Sequence, residues 1–135
     1  MGTFSGLLGG ASTGQIAQST PQELVALLDE LTRLDQTEQT RCGIDFGVCH
    51  GTANWIRRRL GRGQMYGYRL DDNPAAKVGA AYGGHDFLVV DDRWLVDWWG
   101  VHWSGDTDWL VLDLTQQMRL AERLYGPRTR WKAAR

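Results

Sequence analysis

Three residues of this chain carry the chemistry of a nucleophile, a base and a group that orients the base: Cys49, His85 and Asp97. Cys49 stands at the head of a segment in which Ala53, Ile56 and Leu60 fall on one helical face. Arg57, Arg58 and Arg59 fill its last turn, where the helix dipole favours cations. Gly61 follows where a C-cap glycine belongs. The spacing therefore predicts a helix beginning close to Cys49. A helix N-terminus offers unpaired N–H groups and partial positive charge, which favour thiolate over thiol and can face an oxyanion.

A sulfur nucleophile needs a base, and the base needs an orienting partner. His85 opens the β-type run His85 to Val90, and Asp97 lies on the returning run Arg93 to Trp99. Asp91-Asp92 between them is a turn signal, so an antiparallel hairpin is expected. Side chains alternate faces along a strand, so register decides which residues meet. A two-residue loop sends Asp97 to the face opposite His85. A three-residue loop, or a bulge between Val90 and Trp94, puts both on one face, roughly 4.5–8 Å apart. The pairing requires the second arrangement.

The competing residues read differently. His50 adjoins Cys49 on the same helix start, and adjacent helical residues do not face each other. His102 lies in a tryptophan-rich stretch and is a pocket candidate. Asp86, Asp91 and Asp92 are the alternatives to Asp97. Cys42 precedes no helix and reads as structural; a Cys42–Cys49 bridge is left open. Cys42, Cys49 and His50 match no four-ligand zinc pattern, so no metal is expected. For an oxyanion, the Cys49 backbone N–H is the first donor expected, with Gln39 or Gln36 as a side-chain second.

The elements that must position these groups follow from the rest of the pattern. Thr20-Pro21-Gln22-Glu23 reads as a capping box, and Leu24, Leu27, Leu28, Leu31 and Leu34 continue at helical spacing. A helix is expected from about Pro21 to Leu34, then a polar loop to Val48. Met65 to Leu70 reads as a strand, and Lys77 to Gly84 has no clear pattern. Another short strand is expected from Trp109 to Leu112. Leu114, Met118, Ala121 and Leu124 predict a final helix ended by Gly126-Pro127. The order gives an α+β domain over 20–127, with a flexible arm at 1–19 and a solvated basic tail at 128–135.

Composition narrows the partners. The chain has 135 residues and a net charge of −1, which argues against a dedicated nucleic-acid binder. No apolar run reaches the ~18–20 residues that cross a bilayer. Residues 1–19 lack the basic n-region of a secretory signal, so a cytoplasmic location is the default, with signal-independent delivery left open. Trp98 and Trp99 are adjacent on a strand and must face opposite ways. One of them is expected to line the site or an interface, with Trp103 as a further pocket candidate.

Gly47-Val48-Cys49, Ala53, Arg58-Arg59-Leu60-Gly61 and Tyr66-Gly67-Tyr68 resemble the core of the transglutaminase-like superfamily. His85 to Val90, followed by Arg93 to Asp97, is similar to that family's histidine and aspartate strands. The resemblance covers about Ile44 to Trp99. The presence of His50 directly after Cys49 is not part of it. It implies a papain-like or transglutaminase-like fold, with a nucleophile helix packed on a small antiparallel sheet. It also implies Cys49 as nucleophile, His85 as base and Asp97 as the group holding the imidazole. The implied chemistry is acyl transfer through a thioester, acting on a protein, peptide or small amide, with no cofactor. Arylamine N-acetyltransferases share the order, and some members of the superfamily have lost the triad and only bind. The expectation is a cysteine-dependent acyl-transfer enzyme. A catalytically inactive protein-binding module and an arylamine-type acetyltransferase are the alternatives, and the oligomeric state is left open.

Overall fold

The computed structural model describes residues 15–33, 49–97 and 110–134. Among them lie three α-helices and a sheet, in the order β1 (Gln15–Ile16), α1 (Gln22–Arg33), α2 (Cys49–Leu60), β2 (Gln64–Arg69), β3 (Gly84–Val90), β4 (Trp94–Asp97), β5 (Leu110–Asp113), α3 (Leu114–Tyr125) and β6 (Lys132–Ala134). The sheet order is β1-β5-β4-β3-β2-β6. Five strands run antiparallel to their neighbours, and the two-residue β1 joins β5 in parallel at one edge. This is an α+β architecture built around an antiparallel sheet.

Alternation along β3 divides the core in two. Leu88 and Val90 face α1 and α2, where they meet Leu24, Leu28, Leu31, Ala53 and Ile56. Phe87 and Val89 face the other way, where they meet Ala121 and Tyr125 of α3 with Leu95, Leu112 and Trp131. A strand covered on both faces has little need of polar alternation, which is why Phe87 to Val90 is an unbroken apolar run. Of the stripe that the spacing predicts on α1, Leu24, Leu28 and Leu31 are buried and Leu27 is half-buried, while Leu34 lies outside the described residues. The Thr20 hydroxyl donates to the Ala17 carbonyl at 2.6 Å, and Glu23 pairs with Arg62. These two side chains thus serve a turn and an ion pair. Gly61 ends α2 with φ 75°, its N–H on the Arg57 carbonyl at 2.9 Å, as the C-cap reading requires.

Two expected boundaries are corrected. Part of the supposed arm is structure: Gln15 and Ile16 form β1, and Ile16 and Ala17 are buried. The supposed basic tail is structure as well. Residues 128–130 form a 3₁₀ turn, Trp131 is buried, and Lys132–Ala134 pair with β2. Charge misled here, because an edge strand tolerates Lys and Arg on its solvent side, while one buried indole fixes the whole segment. No helix among the described residues is long and apolar enough to cross a membrane.

The β3–β4 hairpin decides the site. Val90 pairs with Trp94, so Asp91, Asp92 and Arg93 form a three-residue loop. Asp91 and Asp92 both have positive φ, 54° and 53°, and Arg93 N–H closes the turn on the Val90 carbonyl at 3.0 Å. Positive φ costs a non-glycine residue up to ~1–2 kcal/mol, less for Asp. Asp92 also meets Arg128, but that pair is exposed and contributes little. Asp92→Gly is expected to raise stability by about 0.5–1 kcal/mol. A rise in the urea midpoint at unchanged m-value checks this; a fall overturns it.

Candidate active site

Each side chain of the candidate site is held by a different element. Cys49 is the first residue of α2 and packs, half-buried, against the helix-side core. His85 is the second residue of β3 and Asp97 the last of β4. The three-residue loop places both on the α3 face, as the pairing required. His85 Nε2 lies 2.5 Å from Asp97 Oδ2, and their side chains are 1% and 3% exposed.

The thiol starts from the opposite side of the sheet. The β3–β4 pairing runs from Val90↔Trp94 to Leu88↔Val96. Nearer the start of β3, the Asp86 backbone N–H donates to Cys49 Sγ at 3.4 Å. The sulfur thus meets the backbone of the strand itself, between the two faces. From there it lies near enough to the His85 imidazole to help raise its pKa. Asp97 takes the Nε2 side of the ring.

Burial opposes a charge on His85, but the Asp97 carboxylate outweighs it, and with the Cys49 contact it lifts the imidazole to about 10. His85 therefore holds its proton at neutral pH. The linkage has a definite sign. With the folded value raised from 6.5, the pair's stabilisation is fully present below pH 6.5 and is lost as pH rises through about 10. Melting temperature is expected to fall across that window, and to fall less in His85→Gln. Equal slopes for the two proteins would contradict the assignment.

Tyr125 was missed by the sequence reading. Its hydroxyl donates to the same Asp97 Oδ2 at 2.6 Å, and the residue is wholly buried. Burial first, and Asp97 second, push its phenol well above the usual range, so it stays a neutral donor. Its ring packs on Phe87 at 4.9 Å and beside His85 at 6.1 Å. Its backbone carbonyl accepts from Asn73 Nδ2 at 2.7 Å and from the Trp131 indole at 3.0 Å. A signal existed: Leu114, Gln117, Ala121 and Tyr125 form one buried stripe on α3. A phenol at the inner end of such a stripe needs a partner. Tyr125→Phe is expected to cost about 1–2 kcal/mol, because the buried carboxylate loses a donor. Chemical denaturation checks it; an unchanged midpoint contradicts it.

The remaining expectations sort as follows. His50 does not face Cys49; its Nδ1 meets Asp86 Oδ2 at 3.1 Å. Asp86 thus serves His50 and not His85. Asp91 and Asp92 turn outward to Arg62 and Arg128. Cys49 is a free thiol. Gln36, Gln39, Cys42, Trp98, Trp99, His102 and Trp103 lie outside the described residues. Among the described residues no group of His, Cys, Asp and Glu is arranged to hold a metal ion. Compared with protein-family models, with curated proteins and with solved structures, the chain matches none of them.

Proposed function

We propose that the protein is a cysteine-dependent acyl-transfer enzyme of transglutaminase-like or papain-like type, acting on amide or peptide carbonyls. One observation carries this reading: a half-buried thiol at a helix N-terminus, beside an imidazole that a buried carboxylate holds from behind. A binding module that had lost its chemistry predicts a buried Cys49 remote from His85, and the proximity of the two weighs against it.

Cys49 Sγ attacks the carbonyl carbon as the thiolate, with the shared proton resting on His85. The new C–S bond sends the carbonyl electron pair onto oxygen, where the Cys49 backbone N–H at the start of α2 faces it. The intermediate collapses by expelling the amine, which takes the proton from His85. A thioester on Cys49 and a neutral His85 remain. Asp97 fixes the imidazole tautomer throughout, as in other nucleophile–base–acid triads. Water or an amine then attacks the thioester, His85 takes the proton, and the sulfur leaves.

Iodoacetamide labelling followed by mass spectrometry tests the reading. At about pH 6, Cys49 is expected to label roughly tenfold or more faster than Cys42. Equal, slow labelling of both would return the protein to the binding-module class.

A further inference from the structure

The connection from β2 to β3 is pinned against the base of the proposed triad. It leaves β2 after Arg69 and returns at Gly84, and the Leu70 N–H closes its neck on the Gly83 carbonyl at 2.9 Å. Its far part is tied to the end of α3: the Lys77 and Val78 N–H groups both donate to the Leu124 carbonyl, at 2.8 and 2.9 Å. The Val78 carbonyl has a different partner. It accepts from the Tyr68 hydroxyl at 2.6 Å, and both residues are buried. Tyr68 stands on β2 directly across from His85, on the same face of the sheet. Burial first, then Asp97 and Cys49, push its phenol above the usual range, so it stays a neutral donor.

The Val78 carbonyl belongs to the peptide plane that places Gly79. Gly79 has φ 79°, a conformation that favours glycine. A Cβ on it would stand 2.7 Å from His85 Cβ and 2.3 Å from the Gly84 carbonyl oxygen. The Gly79 backbone therefore lies directly on the root of the histidine side chain. Its carbonyl accepts from the Gly84 N–H at 3.2 Å, one residue before His85. A continuous line runs from the phenol to the histidine: one hydrogen bond, one peptide plane and one close approach. Asp97 holds the same side chain at Nε2. His85 is thus gripped at both ends, by a carboxylate at the ring and at Cβ by a backbone that Tyr68 orients.

We infer that Tyr68 is a positioning residue for the proposed acyl transfer: through Val78 and Gly79 it keeps the His85 imidazole within proton-exchange reach of Cys49. The inference rests on the acyl-transfer reading and adds a residue to that same site. A hydrogen bond that served stability alone would leave the sulfur unaffected. A brace would not, because a misplacement of about 1 Å at a reacting group costs on the order of 10²-fold in rate. Tyr68→Phe keeps the ring beside Phe87, at 6.3 Å between centroids, and removes only the oxygen that orients the Val78 peptide.

The test reads the sulfur. Alkylation of Cys49 by iodoacetamide is followed by mass spectrometry in the full chain at pH 6 and pH 10, well below the melting temperature of every variant. At pH 6 the thiolate depends on a correctly placed imidazolium; at pH 10 an ordinary cysteine ionises without one. Tyr68→Phe is expected to lower the pH 6 rate at least about tenfold and to leave the pH 10 rate within about twofold. Gly79→Ala, whose methyl drives against His85 with the phenol intact, is expected to give the same selective loss. Tyr66→Phe, which removes a hydroxyl from the same face of the same strand, is expected to match the wild type at both pH values. If wild-type Cys49 labels faster than Cys42 but the Tyr68→Phe rate is unmoved at pH 6, the inference falls and the acyl-transfer reading stands. The same holds if that rate drops by one factor at both pH values, if Tyr66→Phe loses as much, or if Gly79→Ala labels like the wild type. Wild-type Cys49 that labels as slowly as Cys42 at pH 6 ends both.

Discussion

Cys49→Ser is expected to lower acyl transfer from p-nitrophenyl acetate or an amide substrate at least about 10³-fold, with the fold intact. The change keeps the size of the side chain and its place at the head of α2, so the half-buried packing against the helix-side core survives. It removes the chemistry. A hydroxyl does not transfer its proton to His85 as a thiol does, because the alkoxide is far less stable than the thiolate. Matched melting temperatures with lost activity would support Cys49 as the nucleophile. A serine variant that keeps wild-type turnover would remove the sulfur from the reaction and end the proposal.

Asp97 is the second position of large effect, and there stability and chemistry separate by choice of substitution. Asp97→Ala leaves a buried imidazole without its carboxylate and the Tyr125 hydroxyl without its acceptor. Breaking a buried pair on one side costs about 3–5 kcal/mol. A drop of roughly 10 °C or more in melting temperature is expected for a chain of this size. Asp97→Asn keeps the shape and a carbonyl oxygen but carries no charge to hold the imidazolium. Its stability loss is expected to be smaller, and its acyl-transfer rate is expected to fall about 10²–10⁴-fold. Its iodoacetamide reaction at about pH 6 is expected to slow in parallel. An asparagine variant that labels and turns over like the wild type would show that Asp97 is structural.

The hairpin shows why some of this was legible from the residues. Strand periodicity is two, so His85 and Asp97 share a face only if the loop has the right parity. The loop of Asp91, Asp92 and Arg93 supplies it. The helix beginning at Cys49 was legible because three arginines and a glycine mark its far end. What escaped notice was cross-element. Tyr125 belongs to a helical stripe whose pattern says core and not which core atom it meets. The His50–Asp86 pair joins residues far apart in the chain through a seat that only Gly67 leaves open. The strand Lys132–Ala134 is too short, and lies in too basic a segment, to announce itself, and pairing with the edge of β2 makes it structure.

The order of these parts along the chain has a consequence for biosynthesis. Cys49 and His85 leave the ribosome well before Tyr125, which buttresses the carboxylate, and before Trp131, whose indole grips the carbonyls of Tyr125 and Gly126. A nascent polypeptide that has emerged only as far as β4 carries the sulfur without the clamp behind its partner. Under the proposed mechanism, the carboxylate gains its full support only once the closing helix and strand are in place.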